Sequence, residues 1–291
     1  MCDDHDLDEM DYAQRTALSR RQFALLTAGA GLAALLPPPA DAAPITGGPV
    51  DIRTPDGVCD AYFTHPASGG THPGVLMWPD IFGLRPTFQH MADRLAQSGY
   101  AVLVVNPFYR IRKAPTSPPH PSLGDPAVRK ELMAMMGSLT AQVTVTDARA
   151  FVPWIASQPA VSKTRKMATT GYCMGGPFTL RTAAEFPQRI GAGATFHGAG
   201  LVTAGPESPH LLISRIKAQY LMAIAASDDE KQPEAKTILR EAFAAAHLPA
   251  EIEVYPGTQH GWCVPDLQVY NHEEAEKAWG RQLVLLKRAL A

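Results

Sequence analysis

Six residues near the middle of the chain, Gly171-Tyr172-Cys173-Met174-Gly175-Gly176, place a thiol inside a turn that glycines allow to close tightly. The run before it, 166–170, is apolar or β-branched enough for a buried strand. The run after it, 177–186, carries Phe178, Leu180, Ala183 and Ala184 at roughly helical spacing and stops at Pro187. A strand that turns sharply into a helix holds the residue at its apex in a strained conformation, and the helix N-terminus favours the thiolate, the reactive form. Cys173 is therefore a candidate nucleophile. The backbone N–H of Met174, directly after it, is a candidate donor to the oxyanion that attack on a carbonyl creates. A small buried cysteine in a Gly-rich turn is the plain alternative; three other loops weigh against it.

Asp228 and Asp229 follow a predicted strand at 220–226, and His260 follows another at 250–255, inside Tyr255-Pro256-Gly257-Thr258-Gln259-His260-Gly261-Trp262. A histidine near neutral pH can take a thiol proton and return it to a leaving oxygen. A carboxylate on the far ring nitrogen fixes the tautomer and stabilises the imidazolium. Asp228 ends an Ala-x-x-Asp stretch and is the better placed acid; Asp229 would meet the same need if the strand ended one residue later. The second oxyanion donor should come from the loop after an earlier strand, Pro79-Asp80-Ile81-Phe82-Gly83, where Ile81 fits.

Positioning such residues takes a sheet. Strand-like runs at 74–78, 101–105, 166–170, 192–197, 220–226 and 250–255 alternate with helix-like runs at 88–99, 128–139, 144–155, 177–186, 234–246 and 271–290. The run Ala101-Val102-Leu103-Val104-Val105, short and wholly apolar, is the clearest parallel-sheet strand. Two shorter runs flank Pro55-Asp56-Gly57, a hairpin signal. The alternation predicts one α/β domain with a doubly wound, mostly parallel sheet, whose ligands sit beyond the carboxyl ends of the strands. All the candidate residues fall at such ends. The polar, Pro-rich loop at 113–126 is long enough to suggest a functional one.

A net charge of −2 leaves no basic footprint for nucleic acid, and 46% hydrophobic residues are ample for a core. Arg20-Arg21 ahead of the Ala/Gly-rich stretch 24–36, with Ala40-Asp41-Ala42 as a cleavage-like site, resembles a bacterial twin-arginine export signal. The expected organisation is a signal peptide at 1–43, a spacer at 44–49 and a catalytic domain at 50–291. It implies a periplasmic or secreted protein without stable membrane insertion once the leader is removed, a monomer or small homo-oligomer. Beyond the leader lie Cys59, Cys173 and Cys263, an odd number with neither disulfide-framework nor zinc-site spacing.

Gly171-Tyr172-Cys173-Met174-Gly175-Gly176, Asp80-Ile81-Phe82-Gly83, Asn106-Pro107-Phe108-Tyr109-Arg110 and His260 after a Tyr-Pro-Gly turn together resemble the dienelactone hydrolase family over roughly residues 50–291. The resemblance implies an α/β-hydrolase fold and a triad of Cys173, Asp228 and His260 that cleaves an enol-lactone or related ester through an acyl-enzyme, without metal or organic cofactor. It implies that Asp80, where the family usually has glutamate, interacts with the nucleophile. Family members acting on dienelactone carry an arginine four residues after the histidine; here that place is Val264. Arg110, with Tyr109 and Trp262, or Arg112 are then the candidates for substrate contact. A broader carboxylesterase or thioesterase on the same scaffold, and a non-catalytic thiol-based binding or redox-responsive protein, are the competing readings.

Overall fold

Eight strands form one sheet in the order β1-β2-β4-β3-β5-β6-β7-β8 in the computed structural model, which describes residues 43–118 and 121–291. The leader expected at 1–43 lies, but for its last residue, outside the described residues. β1 (Ile45–Thr54) and β2 (Gly57–Pro66) make an antiparallel hairpin at one edge, and β2 pairs antiparallel with β4 (Ala101–Val105). The remaining neighbours are all parallel: β4 with β3 (Gly74–Trp78), then β5 (Met167–Tyr172), β6 (Ile190–Phe196), β7 (Gln219–Ala225) and β8 (Ala250–Tyr255). This is the doubly wound, mostly parallel sheet that the alternation of apolar runs predicts, and the α/β-hydrolase fold that the resemblance implies.

Helices cover both faces. α1 (Pro86–Gln97) buries Phe88, Met91 and Leu95 on the layer formed by Val75, Met77, Val102 and Val104. Burial of three such side chains contributes about 5–9 kcal/mol before the entropy of ordering them is counted. α2 (Pro126–Gly137), α3 (Ala141–Ser157) and α4 (Gly175–Glu185) bring Leu132, Phe151 and Phe178 to the opposite layer, where Trp78 meets Phe151 and Phe178. α5 (Ala226–Lys231), α6 (Ala235–Ala245) and α7 (His272–Ala289) complete the set. Strands β3, β4, β5 and β6 are buried along their whole length, which suits the unbroken apolar runs of β3 and β4 and the small, apolar or β-branched residues of most of β5 and β6.

Several boundaries shift by one to a few residues from the sequence reading, β5 for instance running on through Gly171 and Tyr172, and two of the differences matter most. Residues 45–49, expected as spacer, are the start of β1, paired from Ile45 opposite Pro66 onward. Their Gly and Pro content suits an edge strand, where one side of the backbone needs no ladder partner. Asp228 and Asp229, expected in a loop, lie in the first turn of the short helix α5. Among the described residues no helix is long and apolar enough to cross a membrane.

Candidate active site

Cys173 sits between β5 and α4 with φ +52°, a left-handed conformation that a residue with a Cβ rarely adopts. Three backbone hydrogen bonds hold it there. Its N–H donates to Phe196 O (3.1 Å), and its carbonyl accepts from the N–H groups of Gly176 (3.0 Å) and Ala199 (3.0 Å). Such strain costs roughly 1–3 kcal/mol and persists only where surrounding bonds over-determine it. The flanking glycines are required by close approach. A Cβ on Gly171 would lie 2.1 Å from Gly175 O, and one on Gly175 would lie 2.5 Å from Trp78 O.

His260 reaches this turn from the loop after β8. Its Nδ1 lies 2.7 Å from Asp228 Oδ2, and its ring is near enough to Cys173 to interact with it electrostatically. Burial disfavours charge on the ring. The Asp228 bond, the Cys173 contact and the negative charges of both groups outweigh it and raise the His260 pKa to about 10. The ring therefore holds its proton firmly, between a carboxylate and a sulfur. The loop that carries His260 is laced to the one that carries Asp228: His260 N–H donates to Ser227 Oγ (3.0 Å), Ser227 N–H to Thr258 O (3.2 Å) and Ala226 N–H to Thr258 Oγ1 (3.1 Å). Asp229 faces away, clamped by Lys236 Nζ at 2.6 and 2.7 Å. Geometry thus pairs Asp228, and not Asp229, with the histidine.

Met174 caps the N-terminus of α4, and Ile81 lies in the loop after β3. Among the described residues neither N–H meets a protein acceptor, which leaves both available to an oxyanion. The Ile81 loop is tied down on both sides. Asp80 Oδ1 accepts from Phe82 N–H (2.9 Å), and Thr116 Oγ1 of the Pro-rich loop donates to Phe82 O (3.0 Å).

Asp80, which the resemblance places beside the nucleophile, is held in a buried ion-pair network. Both its oxygens are taken by Arg85, at 2.7 and 3.0 Å, and Arg85 is gripped on its other side by Asp266, at 2.6 and 2.9 Å. Burial pushes the Asp80 carboxyl up against the opposing pull of Arg85. For Arg85 the two carboxylates overcome burial and strengthen its hold on its proton. The network joins the Ile81 loop to the segment after His260.

The candidates for substrate contact are also engaged elsewhere. Arg110 binds Asp56 (2.6 Å) and the buried Asp147 (2.7 Å); Tyr109 donates to the same Asp147 (2.9 Å) and meets Thr54 Oγ1 at 2.8 Å. Arg112 pairs with Glu131. Trp262 is fully buried and stacked on Tyr255 at 4.6 Å, and Val264 is fully buried too. These side chains brace the β1–β2 hairpin and the loop after β8.

Sequence reasoning did not single out Ser227, Thr258, Arg85, Asp266 or His197. His197 follows β6 at φ +40° and faces the His260 ring at 4.9 Å. Its position as the last residue of the strand expected at 192–197, where ligands meet the sheet, was the available signal. Among the described residues no cluster of His, Cys, Asp and Glu could hold a metal ion.

An α/β-hydrolase fold with cysteine at its elbow, and a histidine–carboxylate pair converging on it, defines the class of protein. The chain belongs to the dienelactone hydrolase family, whose profile matches residues 59–290. It is 26% identical over 245 residues to the carboxymethylenebutenolidase of Rhodococcus opacus, covering 82% of this chain and 90% of that one. It is 27% identical over 290 residues, 95% of both chains, to a protein of Methylorubrum extorquens provisionally given the same name. A crystal structure of a provisionally named dienelactone hydrolase from Klebsiella pneumoniae superposes with TM-score 0.72 at 24% identity, over 84% of this chain and 99% of that one.

Proposed function

We propose that this protein hydrolyses small lactones or esters by covalent catalysis, with Cys173 as nucleophile, His260 as general base and acid, and Asp228 as the residue that orients and balances His260. The observation that carries the reading is the meeting, at one strained turn, of Cys173 with a histidine bonded to Asp228 at 2.7 Å. The thiolate attacks the carbonyl carbon, and the electron pair moves to the carbonyl oxygen, where the Met174 and Ile81 N–H groups receive it. Collapse of the tetrahedral species breaks the ester bond, and the leaving oxygen takes the proton from His260. The resulting thioester is attacked by a water that loses its proton to His260. Collapse then releases the acid and restores the thiolate beside the imidazolium.

The substrate proposed is uncharged near the reacting carbonyl. Val264 is buried where an anchoring arginine would stand, and Arg85, Arg110 and Arg112 each already hold carboxylates. An unpaired anion in a dry site is costly. In a matched pair of neutral and carboxylate-bearing esters, the neutral one should have at least an equal kcat/KM. Arg110→Ala should leave the ratio unchanged while lowering stability, because Asp147 loses its counter-charge. A preference for the anion of about 10–100-fold, the value of a charged hydrogen bond, that disappears in Arg110→Ala would overturn this substrate assignment.

Export by the twin-arginine route is part of the same proposal, supported by Arg20-Arg21 before the Ala/Gly-rich stretch. Changing both arginines to lysine should retain the full-length chain in the cytoplasm. Undiminished export of that variant would contradict it.

A further inference from the structure

Behind the His260 ring stands a second imidazole that the reaction as written does not use. His197 is 1% exposed and sits at φ +40° between β6 and the following loop. Its Nδ1 lies 3.3 Å from Cys263 Sγ, its ring meets His260 edge to face at 4.9 Å and 78°, and its Nε2 is buried with no hydrogen-bond partner among the described residues. A phenylalanine would fill the space without an orphaned nitrogen, and glycine would take the backbone conformation without strain. A buried polar group retained at such a cost, against a reacting side chain, calls for a role.

We propose that His197, tethered by Cys263, is a positioning residue that holds the His260 ring in the plane joining Asp228 to Cys173. The inference rests on the reading of His260 as the general base. Three bonded elements fix the two ends of the device. His197 N–H donates to Ala223 O (2.8 Å) at the end of β7, and the preceding Phe196 carbonyl accepts from Cys173 N–H (3.1 Å). Cys263 belongs to the same loop as His260, so the Nδ1–Sγ contact pins that loop against the end of β6. His260 is then bounded by Asp228 on one side and by His197 on another, with Cys173 before it.

The charges fit. Burial, with the facing His260, drives His197 protonation far below the ordinary range, so the wall stays neutral when His260 becomes imidazolium. Burial, with the Asp80 charge adding to it, keeps Cys263 a thiol. The groups facing His197 are thus Cys263, His260 and the Tyr172 ring at 6.2 Å; those facing His260 are Asp228, Cys173 and His197. A second imidazolium in that place would oppose the first.

The test uses the full protein and two readouts: the pH profile of kcat/KM on p-nitrophenyl acetate, and the rate of Cys173 alkylation by iodoacetamide read by peptide mass. His197→Ala should lower kcat about 10–100-fold, as misplacement of a catalytic group does, with KM little changed. The midpoint of its pH profile should move by roughly half a unit or more, and alkylation should slow. His197→Phe, which restores the wall, should recover most of kcat, and Cys263→Ala should show a smaller effect in the same direction. An unchanged midpoint and alkylation rate in folded His197→Ala would overturn the proposal, even if kcat fell. Should that variant fail to fold, the same outcome in Cys263→Ala decides it. His260→Ala serves as the control. If it too leaves alkylation unchanged, the general-base reading fails; if it slows alkylation while the His197 variants do not, only the positioning role fails.

Discussion

Cys173→Ala should lose ester turnover by roughly 10⁴–10⁶-fold, His260→Ala by a similar factor, and the double variant should be hardly worse, since the members of such a unit act together. The expectation follows from the site's geometry: only Cys173 lies at the apex of the strained turn, in contact with the ring that Asp228 orients. Cys59 and Cys263 are buried, and burial raises the pKa of each, so neither can stand in as a nucleophile. A companion substitution separates chemistry from folding. Cys173→Gly should be equally inactive yet unfold no earlier than Cys173→Ala, because glycine adopts φ near +52° without the Cβ penalty. The measurement is single-turnover and steady-state kinetics beside thermal unfolding. Near-wild-type activity in a folded Cys173→Ala would remove the nucleophile from the account.

Arg85→Met should be the most damaging substitution away from the reacting atoms. It removes the guanidinium between Asp80 and Asp266 and strands Asp80, whose side chain is 3% exposed. Breaking a buried ion pair from one side costs about 3–5 kcal/mol, a fall in Tm of roughly 10 °C for a chain of this size. The pH dependence has a definite sign. Without Arg85, burial of Asp80 is opposed only by the Phe82 N–H, so its folded-state pKa rises further above the unfolded value. The folded variant then binds a proton that the unfolded chain releases, and the destabilisation is greatest at neutral pH and shrinks on acidification. Activity should fall as well. The Ile81 donor sits between Asp80 and Phe82, and loss of one oxyanion donor costs about 10²–10³ in kcat. Thermal unfolding of variant and wild type across pH checks the first part. A gap that does not change with pH would show that Asp80 is not the stranded charge.

Much of this was legible in the chain because it depends on short-range patterns. The apolar run Ala101–Val105 is bounded as the sequence implies, and so is β3, since a fully buried strand leaves an unbroken apolar signature; β8 is bounded as expected too, its apolar residues alternating with Glu251 and Glu253. The elbow could be read from Gly171, Gly175 and Gly176, where an added Cβ would collide with neighbouring backbone. What the sequence hid is the work of groups far apart in the chain. Nothing local in Arg85 says that Asp266, 181 residues on, will hold it. Nor does Arg110 advertise that Asp56 and Asp147 will claim it before any substrate can. Asp228 and Asp229 are chemically alike in sequence and differ only because one turn of α5 sends the first toward His260 and the second toward Lys236. The beginning of β1 was hidden for another reason: its Gly and Pro content reads as linker until β2 is available to pair with it.

The most direct measurement is to trap the covalent intermediate. The wild-type protein is mixed with p-nitrophenyl acetate, quenched in acid within the first turnovers and digested for peptide mass analysis. The account predicts an acetyl group on the peptide that carries Cys173, absent in Cys173→Ala and persisting longer in His260→Ala if any forms there, because water then lacks its base. Hydrolysis of the ester by the wild type with no acyl group on Cys173, or with one on another residue, would contradict it.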